Sequence, residues 1–179
     1  MGDSIRIAGI VRESIVDGPG IRFAIFCQGC PHDCPGCHNP ETHDFAGGYD
    51  CSVAKLLEEI DKDPMLAGVT FSGGEPMCQP VAFSALAKEL KKRGLNITIF
   101  SGYTLKQLLD RARGIGSGEG LSFEERKATA ELLQMVDILI DGPYVAALRD
   151  LTLQFRGSSN QRVIDMRKSR EQGKIVLYE

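Results

Sequence analysis

The chain has 179 residues, 42% of them hydrophobic and 25% charged, with a formal net charge of −3. That length suits one domain, residues 1–179, with a substantial buried core, and the composition is that of an ordinary globular protein. The slight acidity gives no reason to expect a nucleic-acid partner, and the run Lys91-Lys92-Arg93 is too short to create one. No apolar stretch is long enough to span a bilayer, and Met1-Gly2-Asp3-Ser4 lacks the basic region and apolar core of a secretion signal. The chain is therefore expected in the cytoplasm, with its six cysteines reduced or metal-bound.

In chain order, residues 21–27 form a largely apolar run after the turn signal Asp17-Gly18-Pro19-Gly20 and predict a buried strand. Four of the six cysteines follow within eleven residues, at positions 27, 30, 34 and 37. Ser52 can cap a helix with Val53, Leu56, Leu57 and Ile60 on one face, stopped by Asp63-Pro64. Residues 69–71 predict a short strand leading into Gly73-Gly74-Glu75-Pro76. A second helix follows Pro80, with Phe83, Leu86, Ala87 and Leu90 at helical spacing, and the basic run falls at its C-terminus, where cations are favoured.

Residues 95–100 alternate as a strand ending at Ser101-Gly102-Tyr103, and Thr104 can cap a third helix. Residues 114–120, rich in glycine, predict a flexible loop. Ser122-Phe-Glu-Glu125 has the form of a capping box and opens a fourth helix. Residues 136–140 predict a buried strand ending at Asp141-Gly142-Pro143-Tyr144. Beyond it, strands are expected near 162–166 and 174–178.

Strands alternating with amphipathic helices imply βαβ units on a mostly parallel sheet. A complete (β/α)8 barrel takes ~250 residues, so the expectation is α/β, a partial, TIM-like barrel that stays open. In such folds the C-terminal ends of parallel strands share one edge, where sites form. The cysteine loop and three other unusual turns each follow a predicted strand, so all four should meet there.

Thiolates this close repel one another unless they are protonated, oxidised or bound to metal. Two C-x2-C pairs resemble zinc half-sites, yet structural zinc separates its pairs by ~12–20 residues, and here only three intervene. A ferredoxin-type centre is the other bland reading, but its usual order is C-x2-C-x2-C-x3-C. Three ligands at C-x3-C-x2-C would leave one iron of a four-iron cubane open.

Cys30-x3-Cys34-x2-Cys37 and Gly73-Gly74-Glu75-Pro76 together resemble the cluster loop and the GGEP motif of the radical S-adenosylmethionine (SAM) superfamily. Asp17-Gly18-Pro19-Gly20-Ile21-Arg22 resembles the opening of glycyl-radical-enzyme activases. The compact cysteine loop through Asn39-Pro40, Asp141-Gly142-Pro143-Tyr144 and residues 155–162 resemble the activating proteins of anaerobic ribonucleoside-triphosphate reductase. Two positions depart from common family patterns: Gly36 stands where many members carry an aromatic before the third cysteine, and His38 where relatives often carry one after it. Neither change removes a ligand.

The resemblance implies that Cys30, Cys34 and Cys37 hold a [4Fe–4S] cluster, with SAM chelating the fourth iron. One electron would cleave SAM to a 5′-deoxyadenosyl radical, which would take a hydrogen from a glycine of the partner reductase. Gly73 and Gly74, lacking Cβ atoms, would bring backbone groups close to SAM, with Glu75 assisting the ammonium or orienting the turn. Gly36, Cys37 and His38 would place backbone atoms against the adenine. No catalytic residue is expected beyond the cluster and SAM. A flavodoxin-type protein is the family's electron donor. Cys27, Cys51 and Cys78 read as packed thiols, and His32 and His43 as loop residues without a catalytic task. Residues 156–162 are left open between SAM, the cluster edge, the partner and a plain turn. An activase of another glycyl radical enzyme, a deazapurine-type radical SAM enzyme and an electron carrier are the alternatives.

Overall fold

The computed structural model describes residues 3–179; Met1 and Gly2, part of the N-terminal segment read above, lie outside them. Seven strands form one open sheet: β1 (Ser4–Ser14), β2 (Arg22–Cys27), β3 (Tyr49–Ser52), β4 (Gly68–Gly73), β5 (Asn96–Phe100), β6 (Ile138–Asp141) and β7 (Arg162–Asp165). Their order is β3-β1-β2-β4-β5-β6-β7. The four central strands, β2, β4, β5 and β6, pair in parallel, while β1, β3 and β7 join antiparallel at the flanks. The sheet does not close, as expected for a partial barrel.

Five helices complete the chain: α1 (Val53–Asp61), α2 (Pro80–Lys92), α3 (Leu105–Arg113), α4 (Phe123–Met135) and α5 (Met166–Gln172). Of these, α1, α3 and α4 begin where their caps predict, and α2 begins at Pro80 without a side-chain cap. Ser52 accepts from Lys55 N, and Thr104 and Ser122 form reciprocal capping boxes with Gln107 and Glu125. Three elements are additions: β1, β3 and α5. β1 is absent from the sequence reading because its register shifts twice against β2, which breaks the two-residue alternation. α5 lies between the strands expected near 162–166 and 174–178 and takes only Met166 from the first; Asp165 caps it by accepting from Lys168 N. Residues 174–178 make only an isolated bridge, Leu177 to Ile164, and the glycine-rich loop at 114–120 contains a single 3-10 turn, Gly116–Gly118.

The two faces of the sheet differ. Phe23, Ile25, Val69, Phe71, Ile97, Ile99 and Leu139 pack with the helices into the core. Phe71 stacks on Phe83 of α2 with ring centroids 4.5 Å apart. Burial of each such side chain contributes about 1.5–3 kcal/mol. The alternate residues face the concave side. At its lower end Arg22 is fully buried without a carboxylate on its guanidinium; it donates instead to Thr70 Oγ1, Pro19 O, Val69 O and both oxygens of Asn96. The Asp17-Gly18-Pro19-Gly20 turn is thereby stitched to β4 and β5, leaving the upper end of the concave face free.

Candidate cluster and cofactor site

Four loops meet above the C-terminal ends of β2, β4, β5 and β6, each latched to the next. Gly74 N donates to Cys27 O and Glu75 N to Gly29 O, both at 2.8 Å, so the turn after β4 is bound to the start of the cysteine loop. Ser101 N donates to Ile140 O and Gly142 N to Tyr103 O, joining the turns after β5 and β6. Asp141, buried, accepts from Leu105 N at the start of α3 and pairs with Arg162.

Glu75 is the hub. It is fully buried, and its two oxygens accept from Met77 N, Ser101 Oγ, Gly102 N and His32 Nε2 at 2.7–3.1 Å. A carboxylate has about four acceptor sites, and the protein occupies them. These contacts tie the turn after β4 to the cysteine loop and to the turn after β5. The two glycines also pack tightly against neighbouring backbone. Gly73 has φ +90°, and a Cβ there would stand 2.5 Å from Cys27 N; one on Gly74 would stand 2.3 Å from Gly29 O. The first approach is to the end of β2 and the second to the cysteine loop, and the Gly74 N–H is already spent on Cys27 O.

Cys30, Cys34 and Cys37 are half-buried free thiols on this loop. Burial pushes the Cys30 thiol up to about 11, and Glu75 and the neighbouring thiols push the same way, while the His32 backbone N–H opposes them. The Cys34 thiol is also raised, chiefly by burial, against the Tyr144 backbone N–H, which favours its thiolate. Asn39 N donates to Cys37 Sγ at 3.5 Å. That bond fixes the third sulfur against the chain that follows it. Among the described residues, no three His, Cys, Asp or Glu side chains close around one point as a single ion would require. A zinc ion draws sulfur to ~2.3 Å. A cubane instead takes each thiolate on a different iron, a demand that three thiols spaced along one short loop can meet.

Beside Cys37 opens a cavity of about 670 Å³, walled by His38, Ser72, Gly73, Tyr144 and Arg156 among others. Cys37, His38 and Gly73 are thus brought together; Gly36, Gly74 and Glu75 lie outside the lining. Gly36, at φ +75°, faces Ala146 and Tyr144 instead. His38 stands beside Tyr144, ring centroids 5.1 Å apart, with Gly157 close against both. Arg156, whose Nη1 donates to Gln161 O, brings the open segment 156–162 into the wall. Phe26 and Phe100 were missed, although each falls on the concave phase of its strand's alternation. Cys27 is fully buried, its thiol raised well above the usual range by burial, and it belongs to the core.

Residues 16–164 match the model of the 4Fe-4S single cluster domain. The chain belongs to this radical SAM family. Within the family, it is 30% identical over 162 residues to the anaerobic ribonucleoside-triphosphate reductase-activating protein of Escherichia coli K12, covering 86% of this chain and 94% of that one. The protein of the same name from Vibrio cholerae is 30% identical over 157 residues, covering 82% of this chain and 89% of that one. The pyruvate formate-lyase-activating enzyme of Clostridium pasteurianum is 40% identical over 99 residues, 52% of this chain but 42% of that one. The crystal structure of QueE from E. coli aligns over 56% of this chain and 53% of its own, at 20% identity and a TM-score of 0.43. No helix among the described residues is long and apolar enough to cross a membrane.

Proposed function

We propose that the protein is a radical SAM activase that installs a glycyl radical on anaerobic ribonucleoside-triphosphate reductase, with Cys30, Cys34 and Cys37 as the three ligands of its [4Fe–4S] cluster. The observation that carries the reading is the shared cavity: the third thiol, the turn after β4 and the segment around Arg156 face one space, as an open-cornered cluster with a chelated cofactor requires. When bound, the cluster and SAM supply an electron, a cleaved C5′–S bond and a 5′-deoxyadenosyl radical able to take a hydrogen from a glycine Cα.

The chain's own contribution is placement. Its loops bring the third thiol, Cys37, into the cavity wall, with Cys30 and Cys34 on the same short loop outside the lining; Cys37 and His38 offer backbone atoms to the adenine side, and Gly73 offers backbone to the methionyl side. Phe26 and Phe100 make the floor apolar and help exclude water from a radical. The whole of residues 1–179 acts as one radical SAM domain, a reading supported by the single continuous sheet. A flavodoxin-type protein is the proposed electron donor, and the reducing cytoplasm the proposed location, in keeping with six free thiols.

The test is anaerobic incubation of reconstituted protein with SAM, reductant and the reductase, followed by electron paramagnetic resonance. A SAM-dependent glycyl radical that Cys34→Ser abolishes is the expected result. A cluster-loaded chain that cleaves no SAM would overturn it. A second reading, that the partner is another glycyl radical enzyme, is favoured by the 40% identity to the pyruvate formate-lyase-activating enzyme. Radical formation on that lyase but not on the reductase would select it.

A further inference from the structure

His32 lies between the first two cluster cysteines, and nothing in the proposed activity uses it. Its side chain nonetheless occupies a built slot. Nε2 donates to Glu75 Oε2 at 2.7 Å, and the ring meets Tyr103 edge-on with centroids 4.5 Å apart. Gly102 closes the slot: a Cβ there would stand 2.3 Å from His32 Cδ2. The same carboxylate accepts from Ser101 Oγ and Gly102 N, and it sits on the turn whose glycines back onto Cys27 and Gly29. Around the thiols, the loop is otherwise tied at its start by Cys30 N to His43 O and near its end by Cys37 N to Cys34 O. Between Cys30 and Cys34, His32 is the residue that reaches into the body of the protein, since Asp33 is exposed and meets only His43.

We propose that His32, held by Glu75, is a positioning residue that fixes the cluster loop against the turns after β4 and β5 and thereby sets the reduction potential of the cluster. The inference rests on the assignment of Cys30, Cys34 and Cys37 as ligands. Its physical basis is the backbone: His32 lies two residues after Cys30 and two before Cys34, so anchoring its side chain on Glu75 fixes where the loop's N–H groups stand relative to the first two sulfurs. N–H groups on cluster sulfurs stabilise the more negative, reduced state, and groups that orient ligands commonly change activity by ~10–100-fold when lost.

The experiment compares wild type, His32→Phe and His32→Gln after anaerobic reconstitution. Iron and sulfide content, the midpoint potential from a redox titration followed by electron paramagnetic resonance, and reductive SAM cleavage are measured on each. His32→Phe fills the slot but cannot reach Glu75; it is expected to retain iron, to shift the potential downward and to slow SAM cleavage at least tenfold. His32→Gln keeps a donor at similar reach and should return the potential toward wild type. A His32→Phe protein with wild-type potential and spectrum overturns the inference. If that variant does not fold or load, Gly102→Ala, which displaces His32 while leaving it in the chain, must shift the potential; an unchanged spectrum there also overturns it. Wild-type protein that loads no iron and sulfide would instead sink the ligand assignment itself, before any variant is compared.

Discussion

Cys27 and Cys30 are three residues apart and have opposite fates. Cys27 ends β2 with its side chain on the helix-facing, core phase of the strand, completely buried. Cys30 has left the strand and is half-exposed. Strand alternation decides this, because the residue after Phe26 must point away from the cavity that Phe26 lines. Cys27→Ala should therefore leave iron and sulfide content unchanged and cost about 1 kcal/mol of stability, the scale of a small core deletion. Metal analysis and urea unfolding of the variant check both halves; loss of the cluster would make Cys27 a ligand. Glu75 gives the complementary lesson. Its oxygens accept from four protein donors, which tie the GGEP turn to the loops beside it.

Among the elements, the turn after β4 is tightly held. The carbonyl of Gly29 lies 2.3 Å from where a Gly74 Cβ would be, and backbone cannot swing aside as a side chain can. Gly74→Ala is expected to destabilise the cluster-free chain by about 1–3 kcal/mol, the cost of overpacking, and to impair cluster retention by pushing the cysteine loop outward. Chemical unfolding and iron content after gel filtration measure the two effects. How far such features can be read from sequence depends on their range. Caps such as Ser52, Thr104 and Ser122 act over three residues and are legible directly. The convergence of four loops follows from parallel βα order, which places strand ends on one edge. β1 was not legible, since its two bulges spoil the alternation. Nor were the anchoring of His32 on Glu75, 43 residues away, or the packing of Arg22 under β4 and β5, because those contacts exist only once the strands are registered.

Across the molecule, the sheet separates stability from chemistry. Its helix-facing side carries the core, and its concave side carries a buried arginine below and the cavity above. The buried thiols make the cluster-free protein sensitive to alkali. Burial raises Cys30 to about 11 and Cys78 to about 12, and Cys27 well above its ordinary value. A thiol held protonated in the folded chain contributes stability that is whole below ~8.5, the ordinary thiol value, and is lost as pH climbs toward the raised one. The urea midpoint of reduced, iron-free protein should accordingly fall between about pH 8.5 and 11, and Cys78→Ala should flatten the fall. A midpoint flat across that window would contradict the burial of these thiols. The same protonation means that cluster loading must release thiol protons, so loading should strengthen as pH rises from 6 to 8.

The central claim is a cubane held by three thiolates with its fourth iron open to SAM, and Mössbauer spectroscopy of 57Fe-loaded protein with and without SAM tests it most directly. The account predicts that adding SAM changes the isomer shift of one iron in each cluster and leaves the other three as they were. Spectra in which all four irons are equivalent and indifferent to SAM would contradict it.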